Sequence, residues 1–232
     1  MRVEPFAVGS YVHAIKRGAR GLPIVRTEDD RLRFVRSLYL LNEKYKNENW
    51  DRQTAELAMF ERPASWPERE QLTSILGWVL MPNHFHLLLK EIVPGGVAKF
   101  MQRLCGSMST HFNAKYKEKG SIFQGGYRGR TVDTDGYLRQ VMPYIMVKNV
   151  FELYPHGFAE ALGNFDSAWG WAAGEYVFSS LPEYARQREW PIVEKDLVAE
   201  LFPNAKSFKK HAREILLSRK EVSKDLRILA GE

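Results

Sequence analysis

His84-Phe85-His86 is the densest chemical signal in the chain. It follows Met81-Pro82-Asn83, a turn-forming tripeptide, and opens a run that reads as a strand to Ile92. Strand side chains alternate faces, so both imidazoles point the same way and can converge on one ion, while Phe85 goes to the opposite face. Imidazole suits several divalent metals. Two other readings of a bare His-x-His pair exist. It can line a solvated strand face, or it can belong to a zinc hydrolase barrel; the latter usually needs about 250 residues, and this chain has 232. His13, His111, His156 and His211 are scattered without ligand spacing. Tyr144 is the second signal. Lys148 lies four residues on, on the same face of a helix, where its ammonium can approach the phenol or a bound phosphate. Pro143 removes one helical hydrogen bond just before the tyrosine and favours a kink there.

These residues need a scaffold, and the pattern around them supplies one. Val8 to Lys16 reads as a strand, followed by a basic turn at 17–21 and a short partner strand at Leu22 to Val25. Thr27 caps a helix that starts with Glu28, Asp29 and Asp30 and runs to about Lys46. Residues 47–70 form a polar connection with a short helix. Ile75 to Leu80 and His84 to Ile92 make a hairpin. Val97, Met101, Leu104, Met108 and Phe112 form the apolar stripe of a helix that ends near Lys119. A strand follows around Tyr127 to Val132, then a last helix from about Asp135 to Val150. The first six elements have the order of a split, ferredoxin-like antiparallel sheet with helices on one face, an α+β fold. Residues 1–150 are read as this domain and 151–232 as a mainly helical extension packed on or beside it, including a basic helix from about Ser207 to Leu226.

Composition is that of a globular chain, with 44% hydrophobic and 27% charged residues. The single cysteine, Cys105, excludes an internal disulfide framework and any multi-cysteine zinc site. No stretch is long and apolar enough for a membrane span, and the first residues lack the apolar core of a signal peptide, so a cytoplasmic protein is expected. The net charge of +6 points to an anionic partner, and its distribution says more than its size. From Lys99 to Arg130 seven basic residues face the single acid Glu118, and eight basic against four acidic residues lie from Lys206 onward. The rest of the chain is net acidic. Basic side chains interleaved with aromatics suit a nucleic-acid backbone and unpaired bases.

The run from Gly77 through Met81-Pro82-Asn83-His84-Phe85-His86 to Leu89 resembles the His-hydrophobic-His motif of the single-tyrosine HUH transposases. Phe123-Gln124-Gly125-Gly126-Tyr127-Arg128 followed by Tyr144-Ile145 is similar to the same family's downstream pattern, closest to its REP-associated branch. The likeness runs from about Tyr11 to Val150, and in outline through Phe178-Ser179-Ser180-Leu181-Pro182-Glu183-Tyr184. It implies metal-dependent cleavage and rejoining of single-stranded, hairpin-bearing DNA through a 5′-phosphotyrosine. His84 and His86 would hold Mg²⁺ or Mn²⁺, Tyr144 would be the nucleophile and Lys148 its catalytic neighbour. Arg17, Arg20, Lys90, Arg103, Gln124, Tyr127, Arg128 and Arg130 are the DNA-contact candidates. One departure stands out. The family often carries Asn or Gln four residues after the tyrosine as a third ligand, and here that position is Lys148. Asn149 is one step further, about 100° round an α-helix. Either the register shifts near Pro143 and Asn149 serves, or water or another side chain completes the site. The alternative is a non-cleaving nucleic-acid-binding protein on the same fold. Related transposases form homodimers in which the tyrosine helix serves the partner's site, and the REP-associated branch acts as monomers; the sequence leaves both arrangements open.

Overall fold

The computed structural model describes residues 6–218. Four strands, β1 (Tyr11–Arg17), β2 (Thr73–Leu80), β3 (His84–Glu91) and β4 (Arg128–Val132), form one antiparallel sheet in the order β2-β3-β1-β4. This is the ferredoxin-like order expected from the sequence. The two crossover helices, Glu28–Leu40 and Gly96–Tyr116, cover one face. Their apolar stripes meet the residues that alternation sends that way: Phe34 packs against Trp78 and Phe85, at ring separations of 6.2 and 5.2 Å.

The first crossover helix starts where expected. Thr27 accepts from Asp30 N, and the Asp30 carboxylate returns the favour to the Thr27 N–H, a capping box. The helix stops at Leu40 rather than near Lys46. The reason is tertiary: the buried Asn42 amide donates to Thr73 O and accepts from Thr73 N, which turns the chain onto the end of β2. Leu22 to Val25 is no strand either. Pro23 has no N–H to give a ladder, and the segment is held by Ile24 N donating to Pro82 O. It bends away through Gly18, where a Cβ would lie 2.1 Å from Leu22 O, so only glycine fits that approach.

The other face of the sheet is covered by the last core helix and by the extension. That helix runs as α over Asp135–Pro143, as π over Tyr144–Lys148 and as α again over Asn149–Phe151. The extension also closes the outer edge of β2. Ser180 N donates to Trp78 O, Leu80 N to Phe178 O and Glu194 N to Ile75 O, while the Tyr184 hydroxyl donates to Leu76 O. Phe165, Trp169, Tyr176, Leu181 and Phe208 of the extension belong to the same hydrophobic cluster as the sheet. The basic helix begins as expected and spans Ala205–Leu217; the remainder of its expected length lies outside the described residues. Among the described residues no helix is long and apolar enough to cross a membrane.

Candidate active site

Alternation and register decide what faces the π segment. Arg17 pairs with His84, Ile15 with His86 and His13 with Leu88, while on the other side Ile15 pairs with Arg128 and His13 with Arg130. Paired residues share a face, so His13, Arg17, His84, His86, Arg128 and Arg130 stand on one side of the sheet. The His84 and His86 rings are 5.0 Å apart between centroids. The expectation that both point one way is met, and a third histidine joins them.

The hydrogen bonds fix one imidazole's proton. Asn83 Nδ2 donates to Gly21 O at 3.2 Å, which sets the amide so that Oδ1 faces His84 Nδ1 at 2.6 Å. A carbonyl oxygen only accepts, so His84 carries its proton on Nδ1 and its ring lone pair on Nε2. His86 Nδ1 lies 3.0 Å from His13 Nε2, with the two rings stacked. Both rings are fully buried. Burial pushes His13 down to about 3. Burial, then the neighbouring His13, His84, Lys148 and Arg17, holds His86 well below the usual histidine range. Both are therefore neutral at ordinary pH, the form that binds metals.

The tyrosine arrives from the helix above. Pro143 has no N–H, so the carbonyl four residues earlier, Arg139 O, loses its helical donor. His211 Nε2 of the C-terminal helix supplies one instead at 3.1 Å. Immediately after Pro143 the helix widens into the π turn, in which Asn149 N donates to Tyr144 O. An i→i+5 bond puts residue 149 where an α-helix would put residue 148. The backbone of Asn149 thus lies one turn along from Tyr144. The register shift weighed from the sequence is present, and its carrier is the π turn that follows Pro143. Tyr144 is 1% exposed, with its ring centroid 5.6 Å from His86 and 6.2 Å from His13. Lys148 Nζ sits 5.1 Å from the Tyr144 ring centroid and 2.7 Å from Glu152 Oε1. Histidines and tyrosine of this one chain lie together in the cluster.

No three His, Cys, Asp or Glu side chains form a ready cage for a metal among the described residues. The donors that are present still fit a divalent ion. His86 Nε2 is buried and meets no hydrogen-bond partner among the described residues. Polar atoms left so are costly unless something else satisfies them.

The DNA-contact candidates fall into three groups. Arg17, Arg128 and Arg130 share the histidine face; Arg128 and Arg130 are exposed. Arg20 is exposed on the 3-10 turn after β1, while Gln124 and Tyr127 lie on the loop before β4, where Gln124 N is tied to Arg17 O. Lys90 faces the same way as the histidines, over the Tyr11 ring, at the far end of β3. Arg103 stands apart. It projects from the second crossover helix, behind the sheet, and donates to the carbonyls of Glu43, Lys44 and Tyr45, so its charge secures the end of the first crossover helix. Three site neighbours were not singled out from the sequence: His13, Asn83 in its hydrogen-bonding role, and His211. Only the parity of His13 in β1 could have pointed to it, once β1 is set beside β3.

Comparison with known proteins agrees with the resemblance. One solved structure, of the REP-associated tyrosine transposase bound to a REP hairpin, is 14% identical, covers 84% of this chain and 89% of its own, and superposes with a TM-score of 0.44. No curated protein matches. Residues 40–148, the segment that carries His84, His86 and Tyr144, match the family model described as transposase, IS200-like.

Proposed function

We propose that this chain cuts and rejoins single-stranded, hairpin-bearing DNA with Tyr144 as nucleophile. The observation that carries the reading is the placement of Tyr144 against the His86–His13 pair, with the backbone of Asn149 one turn along from it. The match of residues 40–148 to the IS200-like transposase family model supports it. His84 Nε2, His86 Nε2 and the Asn149 side chain would hold a divalent ion, Mg²⁺ or Mn²⁺. When bound, that ion supplies Lewis-acid polarisation of the scissile phosphate.

The protein's own groups do the rest. Tyr144 is nearly fully covered, so entry of the phosphate displaces side chains above it. The phenol proton passes to water as the tyrosine oxygen closes on phosphorus, with Lys148 Nζ 5.1 Å from the ring centroid. The tyrosine oxygen bonds to phosphorus, the bond from phosphorus to the 3′-oxygen breaks, and that oxygen takes up a proton. A 5′-phosphotyrosine remains, and attack by a 3′-hydroxyl reverses the step and rejoins DNA. Arg17, Arg128 and Arg130, on the same face, would track phosphates beside the break.

The test is incubation with labelled hairpin-bearing single strands and Mn²⁺, followed by a denaturing gel. A protein–DNA adduct is expected. Binding without an adduct would move the chain to the non-cleaving reading. The soluble DNA-processing role fits an expected cytoplasmic setting, which fractionation of expressing cells would check.

A further inference from the structure

We infer that His13 is a positioning residue for His86, whose Nδ1–H it accepts on Nε2 so that the lone pair of His86 stays on Nε2 and faces the site. This rests on the proposal that His86 is a metal ligand. The starting fact is the 3.0 Å contact between His86 Nδ1 and His13 Nε2 inside the sheet face. One proton is shared there, and two assignments are open. If His86 donates, its Nε2 carries a lone pair and His13 bears its proton on Nδ1. If His13 donates, His86 bears a proton on Nε2.

Neither outer nitrogen meets a partner among the described residues, so hydrogen bonding does not choose. Charge does. Arg17 shares the histidine face, and Lys148 Nζ stands 5.1 Å from the centroid of the Tyr144 ring, which itself packs 5.6 Å from His86. A positive surround favours the negative end of the ring dipole, the lone pair, over an N–H on the side of His86 away from His13. The proton then belongs between the rings, on His86 Nδ1. His84 has the same arrangement through a different partner, since Asn83 Oδ1 holds its proton on Nδ1. Both rings of the pair would so present Nε2, each fixed by an acceptor behind it. A ligating histidine commonly has such a partner, which sets its tautomer and orientation.

His13 also answers a geometric need. It lies on β1 and its register partner is Leu88, so it reaches His86 diagonally across the ladder. Stacking at 5.2 Å with 20° between ring planes limits rotation of His86 about its side-chain bond.

The experiment uses the full chain with ¹⁵N-labelled histidine. Long-range ¹⁵N–¹H spectra, without metal and with Mg²⁺, read which ring nitrogen of His86 carries the proton; Nδ1 is expected, and a proton on Nε2 overturns the inference. Mn²⁺ affinity, read by electron paramagnetic resonance, is the second measure. His13→Leu should weaken it about 10- to 100-fold, while His13→Gln, whose side-chain oxygen can accept in place of Nε2, should stay within about threefold of the parent. Equal losses in both variants, or no loss in His13→Leu, would assign His13 to packing alone. If the parent binds no Mn²⁺ and His84→Ala changes nothing, the metal reading fails, and the ring spectra still decide the tautomer.

Discussion

The two faces of the sheet are made by the same strands and put to opposite uses. Behind it, Trp78, Phe85 and Leu87 meet Phe34 and the crossover helices in apolar packing, and buried carboxylates at the rim take cationic and backbone partners. Asp30 shows this best: the carboxylate accepts from Lys115 Nζ, the Tyr116 hydroxyl and the Arg26 and Thr27 N–H groups. In front, His13 and His86 keep buried ring nitrogens that no described residue satisfies, and the helix that covers them has a proline and a π turn. The rear face spends its burial on stability. The front face keeps its unsatisfied ring nitrogens beside Tyr144, where the proposed ion and phosphate would sit.

If that contrast is sound, substitutions in front change chemistry with little effect on folding, and those behind do the reverse. The largest effect is expected for Tyr144→Phe, which should lower adduct formation by roughly 10⁴-fold or more. Its unfolding midpoint should barely move, and Tyr137→Phe, seven residues earlier on the same helix, should still form the adduct. An adduct that persists in Tyr144→Phe and vanishes in Tyr137→Phe would relocate the nucleophile. Phe85→Ala, one residue from each histidine but on the rear face, should cost about 3–5 kcal/mol in urea unfolding. A cost under about 1 kcal/mol would mean that the rear face is not the stabilising one.

Asp30→Asn comes next, at about 1–3 kcal/mol near neutral pH. Burial alone would push this carboxyl up, but the hydrogen bonds from Lys115, Tyr116, Arg26 and Thr27 hold it well below the usual range. Its folded value is depressed, so its stabilisation is fully present above the unfolded value of about 4 and is lost as pH falls further. The parent's stability should therefore drop on acidification below that point, and the Asn variant should show a shallower drop. Parallel acid limbs would remove Asp30 from the account. The smallest effect is expected for His211→Leu, which leaves Arg139 O without its substitute donor, at about 0.5–1.5 kcal/mol in thermal or urea unfolding. If adduct formation falls in this variant far more than stability does, the extension helps hold the tyrosine helix in place for catalysis.

The local patterns were legible because they depend on short spacings. Alternation in His84-Phe85-His86 placed both imidazoles together and Phe85 behind them. Thr27 with its acidic first turn marked a helix start, and the apolar stripe from Val97 to Phe112 marked another. Composition and order of elements sufficed for the ferredoxin-like sheet, and the motifs for the family. What stayed hidden depends on contacts between distant segments. The end of the first helix at Leu40 is set by Asn42 meeting Thr73. Arg103 looked like a free cation and is occupied by carbonyls some sixty residues away in sequence. His13 had no ligand spacing, because its link to His86 spans 73 residues and arises only from the β1–β3 register. Residue counting alone left open whether Lys148 or Asn149 stands over Tyr144. The helix contains a π turn there, in which Asn149 N donates to Tyr144 O while Lys148 Nζ stays 5.1 Å from the Tyr144 ring, an arrangement that backbone hydrogen bonding and not residue spacing sets.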